Sequence, residues 1–123
     1  MCPIVISDKK RFAGTLTPQA RHVETTVVEI PQQDDDYIVE GYLDLRALTS
    51  EDTVVIKEYV ALDGTTYSLF ASATYVGQLP EPLLRFHSKV MPASAKYKVT
   101  LTQTSGEVKS FPYFFVALVM GTA

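Results

Sequence analysis

The chain has 123 residues, of which 46% are hydrophobic and 20% charged, and its net charge is −3. A chain of this length forms one domain and buries a sufficient core without metals or disulfides. The acidic balance and the lack of a basic stripe interleaved with aromatic residues argue against nucleic-acid binding. The longest apolar run, Phe111–Met120, is about half of the ~20 residues that a membrane helix needs, so we expect no membrane partner.

Residues 1–21 differ from the remainder of the chain. Pro3, Gly14 and Pro18 interrupt any regular element. We interpret this segment as an extended N-terminal arm with a short edge strand at Pro3–Ser7, followed by a loop. Its apolar cluster and its basic cluster make it a candidate interface. The residues concerned are Ile4, Val5, Ile6, Lys9, Lys10 and Arg11.

Charge and cysteine content add two constraints. Residues 22–58 carry ten acids against two bases, whereas residues 1–21 have a net charge of +3. The arm is therefore suited to contact an acidic surface of a neighbouring copy, and a chance scatter of solvated charges is the alternative.

The single cysteine, Cys2, excludes an intrachain disulfide and fits a reducing compartment. No signal-peptide pattern is present at the N-terminus, so we expect none.

Residues 22–123 are expected to form the folded domain, because β-branched and alternating segments follow one another between short turns. Asp63-Gly64 predicts a two-residue type I′ hairpin, and Ser105-Gly106-Glu107 predicts a second hairpin. The predicted core faces include Tyr37, Val39, Gly41, Leu43 and Leu45, and also Tyr97, Val99, Leu101 and Gln103. The predicted strands are His22–Ile30, Tyr37–Leu45, Thr53–Leu62, Thr65–Val76, Leu83–His87, Lys96–Thr104 and Val108–Val119.

Seven such strands and the arm predict an all-β fold of seven to eight strands. Their spacing is typical of an antiparallel β-sandwich with jelly-roll or immunoglobulin-like topology. The pattern does not determine the strand order.

The last predicted strand, Val108–Val119, is apolar on both faces. Both faces must then be covered, because an uncovered apolar strand promotes aggregation. We expect one face to pack in the core and a neighbouring subunit to cover the other, and Pro112 to lie at an edge or bulge. The candidate interface residues in this strand are Phe111, Tyr113, Phe114 and Phe115.

No residue pattern indicates catalysis or a cofactor. Asp34-Asp35-Asp36 offers carboxylate oxygens to a cation, but it lacks the EF-hand spacing, and a solvated loop is the alternative. His22 and His87 have no zinc-ligand spacing, and there is no nucleophile elbow. We expect no enzyme activity and no cofactor. The tyrosines leave open a second interpretation, a soluble carbohydrate- or protein-binding β-sandwich module.

Two segments carry a family resemblance: VEGYLDLRALTSEDTVVIKEYVALDGTTY from Val39 and LTQTSGEVKSFPYFF, which ends at Phe115. They resemble short all-β proteins of tailed viruses of bacteria and archaea. The resemblance implies a non-enzymatic virion protein, a head decoration (cement) or minor structural protein, made in the host cytoplasm. It also implies two kinds of partner: copies of the chain, as a trimer because decoration proteins commonly sit on local threefold axes, and a major capsid protein or other virion component.

Overall fold

The computed structural model describes residues 4–122. Expectations about Met1–Pro3, including Cys2, lie outside this range. The described residues contain no helix that could cross a membrane. They form eight strands: β1 (Ile4–Leu16), β2 (Thr25–Ile30), β3 (Tyr37–Asp44), β4 (Thr53–Ala61), β5 (Ser68–Val76), β6 (Leu83–Met91), β7 (Lys96–Ser105) and β8 (Phe111–Thr122).

The strands form two antiparallel four-stranded sheets. The order is β1-β8-β3-β6 in one, which we call the front sheet, and β2-β7-β4-β5 in the other, the back sheet. Only β4 and β5 are both consecutive in the chain and hydrogen-bonded neighbours; each other connection crosses between the sheets. This arrangement is an eight-stranded jelly roll. The predicted antiparallel sandwich is therefore confirmed. Of the two predicted topologies, jelly-roll and immunoglobulin-like, the structure has the jelly roll.

The second predicted hairpin is wrong. The turn at Ser105–Glu107 joins β7 in the back sheet to β8 in the front sheet, and β8 pairs with β1 and β3. Gly106 has a positive φ of 78° there, and a Cβ atom at this position would collide with the carboxylate of Asp52. A glycine turn of this kind is also compatible with a crossing between sheets, so the local sequence does not distinguish the two.

The first hairpin is confirmed, but its loop is longer than predicted. The last cross-strand pair is Val60 with Ser68, so several residues lie between the strands. Gly64 has a positive φ of 77°, whereas Asp63 does not share that conformation. The Asp63 carboxylate instead accepts hydrogen bonds from the backbone N–H groups of Thr65 (2.8 Å) and Thr66 (2.9 Å). This side-chain turn replaces the type I′ geometry.

β1 is much longer than the predicted strand Pro3–Ser7. It runs antiparallel to β8 from Ile4 to Leu16, with a bulge between Ile6 and Asp8, so the loop predicted after Ser7 is a strand. Main-chain pairing with β8 outweighs the weak local propensity of this polar segment. β6 likewise extends beyond the predicted Leu83–His87, to Met91.

The core lies between the two sheets. Phe115 is at its centre, and its ring centroid is 5.1 Å from that of Phe86 and 6.5 Å from those of Tyr97 and Tyr113. Gly41 lies opposite Phe115 and leaves room for its ring. The predicted inward faces of β3 and β7 are confirmed. Their fully enclosed members include Tyr37, Val39, Leu43, Leu45, Tyr97, Val99, Leu101 and Gln103.

A buried polar pair organises the loops at one end of the sandwich. Asp52 and Gln103 are both fully buried, and the Gln103 amide donates to the Asp52 carboxylate (3.2 Å) and to the Glu107 carbonyl (2.6 Å). Asp52 also accepts from the N–H (2.8 Å) and hydroxyl (3.0 Å) of Thr49 and forms an ion pair with Lys109 (3.4 Å). Because each polar group has a partner, this end is fixed without an unpaired buried charge.

Candidate assembly surface

The two segments that the sequence singled out as interfaces are neighbours in the front sheet. β1 pairs with β8 from Ile4 opposite Thr122 to Leu16 opposite Phe111. The sequence separates them by about a hundred residues and did not predict that they meet. Their shared outer surface is therefore the first candidate for contact with another molecule.

Cross-strand register defines the outer face of the front sheet, because directly opposite residues in antiparallel strands point to the same side. One row across the four strands contains Lys9, Leu118, Ile38 and Val90. A second row contains Ala13, Phe114, Tyr42 and Arg85. We call this surface the outer apolar face. Its large apolar members are Ile6, Ile38, Tyr42, Val90, Phe114, Val116, Leu118 and Met120.

Parts of the outer apolar face are open to solvent. The exposed fraction is 37% for Phe114, 44% for Tyr42 and 68% for Val90, whereas Val116 is buried by its neighbours in the sheet. The back sheet differs: its corresponding outer row contains Thr26, Thr100, Lys57 and Ser72, and so is entirely polar. The front sheet thus carries more large apolar side chains on its outer face than the back sheet, whose next row contains Tyr59 and Leu69.

The N-terminal end of β1 extends this apolar surface. Pairing between β3 and β8 begins at Tyr37 with Val119, whereas β1 continues to pair with β8 as far as Ile4. The two strands therefore form a short ribbon beyond β3. Ile4, Val5 and Ile6 are exposed on it. The predicted basic residues Lys9, Lys10 and Arg11 follow on the same strand and are also exposed.

The four aromatic residues predicted for the interface divide between the two sides of β8. Phe111 and Phe115 are completely enclosed in the core, and Tyr113 is half-buried against it. The Phe111 and Phe115 side chains do not reach the surface of a single copy, so the interface assignment for these two residues is corrected to a core role. Phe114 lies on the outer apolar face. The sequence could not assign the sides because both are apolar.

The acidic residues of segment 22–58 do not form one surface. Glu24 accepts from the hydroxyls of Thr100 and Tyr59 on the back sheet, both at 2.6 Å. These hydrogen bonds lower the pKa of Glu24. Glu40 accepts from Ser88 on the front sheet. An acidic platform for the arm of a neighbouring copy is therefore not evident in this segment.

The acidic run at residues 34–36 caps a loop. Asp35 accepts from the N–H of Asp36 (2.8 Å), and Asp36 accepts from the N–H of Ala93 (2.9 Å). Within residues 4–122, no group of three or more His, Cys, Asp or Glu side chains is positioned to hold a metal ion. The Asp35 and Asp36 carboxylates therefore accept hydrogen bonds from main-chain N–H groups near this loop.

A cavity opens at the side of the sandwich, between the β4–β5 loop and β6, and Val90 of the outer apolar face also lines it. It has a volume of about 570 Å³, and its lining includes Leu62, Phe70, Lys89 and Met91. The ammonium of the lining residue Lys89 lies 3.4 Å from the Glu58 carboxylate and 4.8 Å from the centre of the Tyr97 ring. Tyr97 donates to Glu58 at 2.5 Å, and burial together with this hydrogen bond raises the pKa of Tyr97. The cavity is thus mostly apolar, and the charge of its one basic lining residue, Lys89, is offset by Glu58.

Three solved structures of infectious bursal disease virus particles share this fold. The VP2 subviral particle has 12% sequence identity and a TM-score of 0.51, and the match covers 97% of this chain and 33% of that chain. The virus-derived T=1 particle has 16% identity and a TM-score of 0.51, with 97% and 32% covered. The Gt strain structure has 15% identity and a TM-score of 0.50, with 96% and 33% covered.

This chain therefore spans about one third of the length of each of those proteins. No protein-family model and no curated protein matches the sequence. At this level of identity the comparison shows the fold alone: the chain is a jelly roll resembling domains of viral capsid proteins.

Proposed function

We propose that this chain is a non-enzymatic structural protein of a viral particle, which acts by assembling with its own copies and with other virion components. The jelly roll and the likeness to viral particle proteins support this role, but a fold alone does not define function. The observation that carries the proposal is the outer apolar face. A ladder of large, partly exposed apolar side chains across one sheet is a surface that a partner molecule can cover.

The free energy gained by burying the outer apolar face is sufficient for assembly when several contacts form together. Complete burial of a large apolar side chain is worth roughly 1.5–3 kcal/mol. Phe114, Tyr42 and Val90 are already partly covered, so each would contribute a fraction of that. Association also costs several kcal/mol, because each copy loses translational and rotational freedom, so one such contact alone is weak. In a closed shell or ring each copy makes several contacts at once, and weak contacts then sum to a stable assembly.

The finer form of the proposal is a capsid decoration (cement) protein or a minor structural protein, present in the virion and made in the host cytoplasm. The exposed basic group Lys9, Lys10 and Arg11 lies on β1 at the edge of the front sheet, with Lys9 and Arg11 on its outer side. It favours an acidic partner surface, such as that of a major capsid protein. A trimer is the form that the family resemblance implies.

Sedimentation of the purified chain tests the proposal. We expect concentration-dependent association of the wild type and a shift towards monomer in Val90→Lys and Phe114→Glu. Val23→Glu is the matched control, because Val23 is 40% exposed and lies outside the front sheet. Circular dichroism should show that Val90→Lys, at a highly exposed position, keeps its fold. A wild type that stays monomeric at tens of micromolar, or front-sheet variants that associate like the control, would contradict the proposal.

One observation favours a second function, the soluble binding module: the side cavity of about 570 Å³. This volume lies in the usual range for small-ligand sites, and its lining suits an apolar group better than a sugar. A monomeric protein that binds apolar ligands or peptides, with binding lost in Phe70→Asp, would support this alternative over assembly.

A further inference from the structure

The four edge strands of the sandwich are protected unequally. An edge strand exposes unpaired N–H and C=O groups, and natural proteins discourage pairing there with charged residues, proline or a short strand. β1 carries Lys9, Lys10 and Arg11, and β6 carries Arg85 and Lys89. β2 has only six residues. Three of the four edges therefore have one of these safeguards.

β5 has neither charge nor proline and is not short, and its one irregularity is a bulge at Phe70 near its start. It contains nine residues, SLFASATYV, without charge or proline, and it pairs on one side only, with β4. Leu69, Phe70 and Val76 are more than half exposed on it. A long, uncharged and apolar edge of this kind is a template for an added strand.

We propose that β5 pairs with β5 of a second copy, antiparallel and around a twofold axis close to Ser72. In a twofold strand pair residue i faces residue j while residue j faces residue i, so an edge whose charges have mostly one sign sets like charges against one another. β1 and β6 would do so with their basic residues, whereas β5 would not. Its middle residues, Ala71, Ser72 and Ala73, are also small and permit close approach.

This pairing joins the back sheets of the two copies, edge to edge, into one continuous eight-stranded sheet. Pairing of the two β5 strands satisfies the free main-chain groups of both, except where the bulge at Phe70 interrupts the regular pattern. The surface is distinct from the outer apolar face, since β5 belongs to the back sheet. The inference therefore goes beyond the proposed function and holds whether or not the chain is a virion protein.

Ser72 offers a test that leaves the monomer intact. It is exposed on the outer side of the back sheet, in the row with Thr26, Thr100 and Lys57. Thr26 is an exposed residue in the same row at the opposite edge, so Thr26→Glu and Thr26→Lys are matched controls for Ser72→Glu and Ser72→Lys. Unchanged melting temperatures establish that all four variants fold.

The experiment measures dimerisation by sedimentation equilibrium, with the series repeated in the Phe114→Glu background to remove contacts through the outer apolar face. We expect the dimer dissociation constant to rise about tenfold in either Ser72 variant, because like charges then face each other across the new strand pair. The Thr26 controls should match the wild type. An equimolar mixture of Ser72→Glu and Ser72→Lys proteins should recover dimerisation.

Recovery in the mixture identifies a second copy as the partner. Ser72 variants that dimerise like the Thr26 controls would overturn the inference, as would a Phe114→Glu protein that is monomeric throughout. If Ser72→Glu and Ser72→Lys each lose dimerisation and their mixture does not recover it, the inference is also overturned, since the partner strand would then not be β5. These outcomes leave the proposed function standing, because that depends on the Val90 and Phe114 variants.

Discussion

Gly41→Ala should destabilise the protein although alanine is ordinarily the better strand residue. Gly41 faces Phe115 across the β3–β8 pair, and a Cβ atom there would lie only 2.6 Å from both the ring Cγ of Phe115 and the carbonyl oxygen of Phe114. Contacts this short force something to move. The Phe115 ring is fully enclosed and packs on Phe86, and the carbonyl belongs to the central strand β8. Neither neighbour can shift freely.

The magnitude follows from two opposing terms. Overpacking a core typically costs 1–3 kcal/mol, and contact with main chain favours the upper end. Replacing glycine in a strand returns roughly 0.5–1 kcal/mol. We therefore expect a net loss of about 2 kcal/mol in the free energy of unfolding. For a domain of this size this corresponds to a fall in melting temperature of about 8 °C. Urea unfolding and calorimetry measure both quantities.

Two further variants show whether the mechanism is correct. Gly14→Ala is the control: its Cβ atom would lie 3.1 Å from the Tyr113 hydroxyl, at the end of a half-buried ring, so we expect a change below about 1 kcal/mol. In a Phe115→Leu background the cost of Gly41→Ala should fall by about 1 kcal/mol, because the two sites are in contact. A Gly41→Ala protein as stable as the wild type, or equal costs in both backgrounds, would refute the reasoning.

Three other changes have defined outcomes. Gly64→Val should lower the melting temperature markedly, because Gly64 has a φ of 77° and a Cβ there would lie 2.7 Å from the Ser94 carbonyl oxygen; an unchanged melting curve would count against this turn geometry. Burial alone would raise the pKa of Asp52, but hydrogen bonds from Thr49 and Lys109 hold it below the ordinary 3.8. The stability that Asp52 supplies is thus complete above that value and is lost as pH falls through the lower, folded-state pKa. Asp52→Asn should therefore be less stable at pH 7 and show a shallower loss below about pH 4 in urea titrations; parallel pH profiles would contradict this. Deletion of residues 1–7 removes the exposed ribbon end, so we expect the melting temperature to stay within a few degrees while sedimentation shows weaker self-association; unfolding on deletion would show that the ribbon stabilises the domain.

Local sequence pattern was sufficient where a strand is fully buried on one side only. The alternation of Lys96–Thr104 identified β7 and its inward residues, and the tyrosine-to-leucine alternation from Tyr37 identified β3. In both, burial on one side imposes the period of two that the sequence displays. The glycine at Gly64 likewise marked the single hairpin between consecutive strands.

Features that depend on distant partners were not predictable in this way. β1 is polar and contains Gly14, and it is a strand because β8 offers it main-chain partners. The choice between a hairpin and a sheet crossing at Gly106 depends on the contact with Asp52. On the inward side of β8 the Phe115 ring occupies the space that Gly41, a residue distant in sequence, leaves open. The jelly-roll order and the composition of the outer apolar face follow from these same long-range pairings.

Solvent footprinting of the outer apolar face is the most direct test of the assembly role. Hydroxyl-radical labelling of Phe114 and Tyr42 can be followed as protein concentration rises, with Tyr59, on the outer side of the back sheet, as the internal reference. The proposed role predicts that labelling of Phe114 and Tyr42 falls as the protein associates while that of Tyr59 stays constant. Constant labelling of Phe114 and Tyr42 across a range in which the protein associates would show that assembly does not use this face.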